Sequence, residues 1–308
     1  MKHTVVLTAA FPRVARDLLA GEFDVIEHPT ESDRSEDDMI AILAEADAAV
    51  TLLSDPITRR VLESNPNLRI VANFAVGYNN IDVAAARELG VTVTNTPGVL
   101  TEATADLTMA LILAVTRRLV EGDREIRDTG RCVWDPLHLL GMSLQHKRLG
   151  IIGMGRIGSA VAQRARAFGV DVTSARRGDA IDDLLATSDI VSLHAPLTRE
   201  THHLIDRAAL AKMKRGAYLV NTSRGPLVDE DALCDALDSG HVRGAALDVY
   251  EHEPAVNPRL LAMQNVVVVP HIGSATDEAR NGMATIAAKN VASFLRGLGP
   301  VTPIASGE

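Results

Sequence analysis

The stretch Arg148-Leu149-Gly150-Ile151-Ile152-Gly153-Met154-Gly155-Arg156-Ile157-Gly158 decides how this chain folds, and it runs on into Ser159-Ala160-Val161-Ala162-Gln163-Arg164-Ala165-Arg166-Ala167-Phe168-Gly169. A short apolar run ends in Gly-x-Gly-x-x-Gly, and a helix-like segment leaves it. Strand, turn and helix stand in the order that a dinucleotide fingerprint requires. Gly153 allows the tight turn. Gly155 lets backbone N–H groups, together with those of Met154, Arg156 and Ile157, approach a pyrophosphate. Gly158 lets helix and strand pack closely. The new helix points its partial positive end at the phosphates. The competing reading is a glycine-rich structural turn.

Outward from this stretch, short apolar runs alternate with helix-like segments in both directions. Downstream come 170–174, 190–196, 217–222, 244–249 and 266–270, near-continuous apolar runs suited to central parallel strands. The segment Asp231–Asp238 reads as a helix ended by Gly240, and a long final helix spans about Thr276 to Arg296. Upstream, strands are expected at 4–8, 24–27, 49–53, 70–73 and 92–95, with helices at 13–20, 36–45, 58–64 and 83–89. The fold class is therefore α/β, with two doubly wound Rossmann-like or flavodoxin-like parallel-sheet domains and a cleft between them. Residues 1–97 and 277–308 are expected to form a substrate-binding domain, and 98–276 the dinucleotide-binding domain.

Composition narrows the function. The chain has 308 residues, is 46% hydrophobic and only 3% aromatic, and carries a formal charge of −9. Aliphatic residues must fill the core. The negative charge argues against a general nucleic-acid or anionic-membrane partner. Cys132 and Cys234 read as free thiols in a reducing compartment, and no zinc-type spacing appears, so no metal is expected. The N-terminus shows no secretory signature. A cytoplasmic protein is expected.

Two segments carry open alternatives. The loop Phe74-Ala75-Val76-Gly77-Tyr78-Asn79-Asn80-Ile81-Asp82 follows a strand. It is either an anion-binding loop offering the N–H groups of Val76 and Gly77, or an ordinary strand-to-helix turn. A helix over roughly 102–120, capped by Thr101, is apolar nearly all round. Burial on all sides is expected, against a second subunit or within the monomer. The irregular stretch 129–145, with the single Trp134, is an arm gripping a neighbour or a surface loop.

The second strand of the dinucleotide half ends in Ser174-Ala175-Arg176-Arg177-Gly178. NAD sites place a carboxylate there, about 20 residues past the glycines, on the ribose 2′-hydroxyl. None stands in this turn: Asp171 begins the strand and Asp179 lies beyond the turn. Arginines pair with a 2′-phosphate. Arg176 and Arg177 therefore point to NADPH over NADH, or form a solvated surface pair.

Arg224, Glu253 and His271 each follow a late strand, where doubly wound sheets bring side chains to the cofactor cleft. Each alone has an ordinary surface explanation; three together favour a site. At this point the resemblance is plain. Asn221-Thr222-Ser223-Arg224-Gly225-Pro226-Leu227-Val228-Asp229, residues 244–254 ending Tyr250-Glu251-His252-Glu253-Pro254, and Pro270-His271-Ile272-Gly273-Ser274-Ala275-Thr276 resemble the D-isomer-specific 2-hydroxyacid dehydrogenases. Residues 76–82 and 95–101 fit too, and the chain looks most like the glyoxylate/hydroxypyruvate reductases. Arg176 stands where many NAD-using members carry Asp.

The resemblance implies that Arg224 binds the substrate carboxylate and keto oxygen, that His271 donates the proton for reduction, and that Glu253 partners it. It implies that Val76 and Gly77 hold the other carboxylate oxygen. It implies that Asp248 accepts from the nicotinamide carboxamide, and that Pro196, Thr201, Thr222, Ser223, Arg224, His271 and Gly273 line the cofactor. It further implies a homodimer through helix 102–120, with the arm around Trp134 reaching toward the partner. A histidine titrates near neutrality and suits proton donation to a forming alkoxide. The readings left open are an NAD-linked dehydrogenase acting on phosphoglycerate or lactate, and a non-catalytic dinucleotide-sensing protein.

Overall fold

Residues 2–31 and 33–304 are described in the structure, a computed structural model. The chain divides into two compact units, Met1–Leu100 with Ala275–Glu308, and Thr101–Ser274.

The first unit alternates β1 (Thr4–Leu7), α1 (Arg13–Leu19), β2 (Asp24–Glu27), α2 (Glu36–Leu43), β3 (Ala48–Thr51), α3 (Arg59–Glu63), β4 (Ile70–Asn73), α4 (Val83–Glu88) and β5 (Thr92–Thr94). Its five strands pair in parallel in the order β2-β1-β3-β4-β5. Each residue of β3 and β4 is buried, as strands covered on both faces must be. Local signals start the helices. Ser35 and Asp38 form a reciprocal capping box on α2, and the Asp82 side chain accepts the Ala85 N–H at 2.8 Å to start α4. Such caps contribute about 1 kcal/mol each.

The second unit opens with α5 (Thr101–Thr116) and α6 (Leu119–Thr129). It continues through β6 (Arg148–Ile152), α7 (Arg156–Ala167), β7 (Asp171–Ala175), α8 (Asp182–Thr187), β8 (Ile190–Leu193), α9 (Arg207–Lys212), β9 (Ala217–Asn221), α10 (Glu230–Asp238), β10 (Val242–Leu247), α11 (Pro258–Ala262) and β11 (Val266–Val268). Six parallel strands lie in the order β11-β10-β9-β8-β6-β7. Strand order reverses at β6, which has β7 on one side and β8 on the other. Ligands of open α/β sheets bind at the carboxyl ends of strands flanking such a reversal, and the glycine turn follows β6. The chain then returns as α12 (Asp277–Leu295), capped by Thr276, which packs on α1, β3 and β4 of the first unit.

One expected helix is two. α5 stops at Thr116, and Arg118 takes a left-handed φ of 52° before α6 begins. The Thr116 carbonyl accepts the Met142 N–H at 2.8 Å instead of continuing the helix. Nor is α5 apolar all round. Glu102, Asp106 and Ala110 are exposed, and Arg164 of α7 holds Glu102 at 2.7 Å and Asp106 at 2.6 Å. α6 buries no residue, and residues 130–138 of the following arm are exposed throughout. Among the described residues, no helix is long and apolar enough to cross a membrane.

Candidate active site

In the second unit the fingerprint turn has the geometry its glycines require. Gly153 takes φ +99° and its N–H donates to Ala175 O at 2.9 Å. A side chain there would collide with the His194–Ala195 peptide, and one on Gly158 with the Gly153 carbonyl. Gly155 is different: a Cβ would meet nothing within 4 Å. Gly155 begins α7 with no side-chain cap, and no acidic residue stands in the first turn. Free N–H groups at a helix start beside open space fit a pyrophosphate. Arg156 is exposed there, while Met154 and Ile157 pack on the apolar layer shared with α5.

The turn after β7 closes on itself. Asp179 accepts the Arg176 N–H at 2.7 Å and returns its own N–H to Arg176 O at 3.0 Å. Its carboxylate is thereby engaged. Arg176 and Arg177 are exposed, and among the described residues neither forms an ion pair.

Several hydroxyls expected at the cofactor hold loops together. Thr201 Oγ1 donates to Pro196 O at 2.7 Å, Ser223 Oγ donates to Ala195 O at 2.6 Å, and the hydroxyls of Thr222 and Thr108 lie 2.9 Å apart. Gly273 O accepts from Thr104 Oγ1 at 3.0 Å.

Two of the three charged residues meet directly. His271 Nδ1 lies 2.9 Å from Glu253 Oε2, and Glu253 Oε1 accepts the Tyr250 N–H at 2.9 Å. Burial pushes the Glu253 carboxyl up. The hydrogen bond and charge of His271, the Tyr250 N–H and the Arg224 charge outweigh this, and its pKa is lowered. Arg224 makes no ion pair with it but donates to Ser223 O at 2.7 Å, and Asn221 Nδ2 donates to Arg224 O at 2.8 Å. Burial lowers the Arg224 pKa, against the opposing pull of Glu253; a guanidinium stays charged regardless. His271 adopts a left-handed φ of 51°. Asp248 secures the backbone just beyond it, accepting from the N–H groups of Ile272 at 2.6 Å and Gly273 at 2.8 Å. Burial raises the Asp248 pKa. The imidazole thus shares one nitrogen with a carboxylate, while Nε2 has no partner among the described residues. Such a group can deliver and recover a proton.

In the first unit, the N–H groups of Val76 and Gly77 have no partner among the described residues. Their carbonyls do. Asn73 Nδ2 donates to Gly77 O and Asn95 Nδ2 to Val76 O, each at 2.8 Å. The two amides tie both carbonyls to the sheet side and leave adjacent N–H donors for an anion. Sequence reading missed Asn73 and Asn95. Their only local signal is an asparagine closing or following a strand beside the loop. It also missed Tyr250, whose hydroxyl donates to Val269 O at 2.8 Å, the carbonyl that also receives the His271 N–H. Cys234 is buried and its thiol pushed up to about 11, foremost by that burial; Cys132 is exposed.

Comparison with known proteins agrees with this geometry. The family model "D-isomer specific 2-hydroxyacid dehydrogenase, NAD binding domain" matches residues 109–273. A glyoxylate reductase of Thermococcus litoralis is 49% identical over 270 residues, covering 82% of each chain. Among solved structures, the TT0316 protein from Thermus thermophilus superposes with a TM-score of 0.92 at 43% identity, over 98% of this chain and 100% of that one. The NADPH-dependent glyoxylate/hydroxypyruvate reductase from Sinorhizobium meliloti, solved with NADP and malonate, superposes with a TM-score of 0.85 at 29% identity, over 99% of this chain and 97% of that one. With its glycine turn, two parallel sheets and matched residues, this chain belongs to the oxidoreductases of the D-isomer-specific 2-hydroxyacid dehydrogenase family.

Proposed function

We propose that the protein is an NADPH-dependent reductase of glyoxylate and hydroxypyruvate, working in the cytoplasm as a homodimer. The observation that carries the reading is the 2.9 Å pairing of His271 Nδ1 with Glu253, which leaves Nε2 free to act as an acid. The names of the Thermococcus and Sinorhizobium relatives support the substrate class.

A dinucleotide held on the Gly153–Gly158 turn would supply the hydride for the carbonyl carbon. Arg224 clamps one carboxylate oxygen and the keto oxygen, and the charge developing on that oxygen strengthens the contact. In the first unit, the adjacent N–H groups of Val76 and Gly77 would offer two donors to a carboxylate. His271 Nε2 gives its proton to the keto oxygen as the new C–H bond forms, which completes the alcohol. Glu253 holds the ring's orientation through the 2.9 Å contact at Nδ1 and places a negative charge beside it. The Gly153–Gly158 turn would carry the pyrophosphate, and Arg176 and Arg177 would pair with a 2′-phosphate, which a carboxylate would repel. Asp248, each oxygen holding one backbone N–H, retains lone pairs for the nicotinamide carboxamide. Pro196, Thr201, Thr222, Ser223 and Gly273 supply the remaining cofactor surface. The first unit serves as the substrate-binding domain, and the second as the dinucleotide-binding domain.

The test is nicotinamide oxidation with a panel of 2-keto acids, run with NADPH and NADH in parallel. Turnover of glyoxylate or hydroxypyruvate with a strong NADPH preference is expected. Equal rates with both cofactors remove the 2′-phosphate assignment, and no turnover of any 2-keto acid removes the reductase.

A further inference from the structure

We propose that His202, His203 and Glu251 form a binding site for a divalent transition-metal ion of the zinc class, separate from the Glu253–His271 pair. One ligand atom from each lies within 4.8 Å of the others.

The backbone sets up this convergence. Neighbouring residues in extended chain point to opposite sides. Here His203 takes a left-handed φ of 49°, and its N–H donates to Pro226 O at 2.8 Å. A non-glycine residue adopts that conformation at a cost of about 1–3 kcal/mol, and only where its surroundings hold it. The two rings end side by side, with centroids 4.1 Å apart and planes inclined by 31°.

Glu251 is held from behind. Its N–H donates to Glu230 Oε1 at 2.8 Å, and its Oε2 accepts the Glu230 N–H at 3.3 Å. That leaves Oε1 aimed at His203 Nε2, 2.6 Å away. The peptide at Tyr250–Glu251 is pressed against Gly225, where no side chain would fit. The carboxylate is therefore fixed before any ion arrives.

An ion pair would need only His203 and Glu251. His202 adds no hydrogen bond to that pair, yet its ring is stacked at the same place. Two imidazoles and one carboxylate are the donors of zinc sites that keep an open fourth position. Bonds of about 2.0–2.1 Å put tetrahedral ligand atoms roughly 3.3 Å apart. Small rotations reach that spacing, and His202 is exposed, with room to make them. For the ion to enter, the His203 proton moves from Nε2 to Nδ1, and the freed lone pair binds metal in place of the hydrogen bond. Imidazole donors favour zinc, cobalt, nickel or copper over magnesium.

The test uses metal-free, tag-free full-length protein, titrated with Zn2+ by calorimetry and with Co2+ by visible absorbance. One saturable ion per chain is expected, with a four- or five-coordinate cobalt spectrum that Zn2+ displaces and Mg2+ does not. His202→Ala is the deciding variant, because this exposed side chain makes no hydrogen bond. An unchanged thermal midpoint without metal confirms its fold. Its affinity should fall at least about tenfold, the scale on which metal sites respond to losing a supporting group. His138→Ala, which removes a different histidine–carboxylate pair with Glu125, should bind as the parent does. No saturable binding, or equal affinity in His202→Ala and the parent, overturns the proposal.

Discussion

His271 Nδ1 and Glu253 Oε2, 18 positions apart in sequence, stand 2.9 Å apart at the ends of two neighbouring strand–loop segments. The carboxylate has one oxygen on the imidazole and the other on the Tyr250 N–H, so it can neither rotate away nor pick up another partner cheaply. Its effect on the ring is directional. A negative charge beside Nδ1 attracts positive charge on the ring and fixes which nitrogen faces away from it.

Glu253→Gln removes that charge while keeping the shape. Losing the carboxylate should cut kcat by roughly 10–100-fold, the scale of a charge-assisted hydrogen bond, and leave the affinity for NADPH nearly unchanged. Steady-state kinetics with a cofactor-binding titration check this. An unchanged kcat would mean that the Glu253 charge plays no part in proton donation.

Arg176 and Arg177 expose guanidinium groups with no ion-pair partner among the described residues. Replacing both with alanine should raise the KM for NADPH by about 10–100-fold, matching one or two lost charge-assisted contacts. The KM for NADH should stay within about twofold. Steady-state kinetics with each cofactor, at fixed low salt, decide it.

Asn95 and Asn73 hold the carbonyls of Val76 and Gly77 at 2.8 Å each. Asn95→Ala releases one neutral hydrogen bond, worth about 1 kcal/mol. The KM for glyoxylate should rise about five- to tenfold with little change in NADPH affinity. Gly77→Pro, which deletes an N–H outright, should raise it further. If Gly77→Pro leaves KM unchanged, the loop does not bind the substrate at all.

How much of this was readable from the chain depended on how local each cause is. The glycine turn was legible because φ +99° at Gly153 and the tight contact at Gly158 restrict single residues. Alternating apolar runs likewise marked both parallel sheets. The end of α5 was not legible, because the Met142 N–H that takes the Thr116 carbonyl comes from 26 residues away. The roles of Asn73 and Asn95 depend on two strands meeting one loop. The His203–Glu251 contact joins positions 48 apart, and no spacing rule anticipates it.

Burial pushes the pKa of His194 down to about 4. Its Nε2 lies 2.9 Å from Ser192 Oγ. In the unfolded chain it takes up a proton near pH 6.5. The folded state therefore keeps this contribution in full above about pH 6.5 and loses it as pH falls toward 4, by at most about 3 kcal/mol. The raised carboxyls of Asp55 and Asp248 act in the opposite sense over acidic pH. The informative quantity is thus the difference between parent and His194→Gln. Urea unfolding at pH 7 and pH 4.5 should show the parent losing more stability than the variant. Parallel losses would mean that the ring titrates normally.

α6 and the arm expose several large apolar side chains: Leu119 at 65% of its surface, Trp134 at 86% and Leu137 at 77%, and also Ile126, Val133 and Leu140. A soluble monomer rarely leaves a patch of this kind open. The same segment lines a neighbouring cavity of about 430 Å³, where Leu119, Ile126, Val133 and Leu139 sit among charged residues such as Arg118, Asp123 and Glu125; in the homodimer proposed above it would receive side chains from a second copy. A closed two-fold dimer satisfies both features at once, since each copy offers the same knobs and the same hollow. Sedimentation velocity at micromolar concentration should therefore give a dimer. Trp134→Glu with Leu137→Glu places four like charges in one interface and should halve the mass. These exposed positions carry no core packing, so circular dichroism should be unchanged. A parent chain that sediments as a monomer would leave the patch without this explanation.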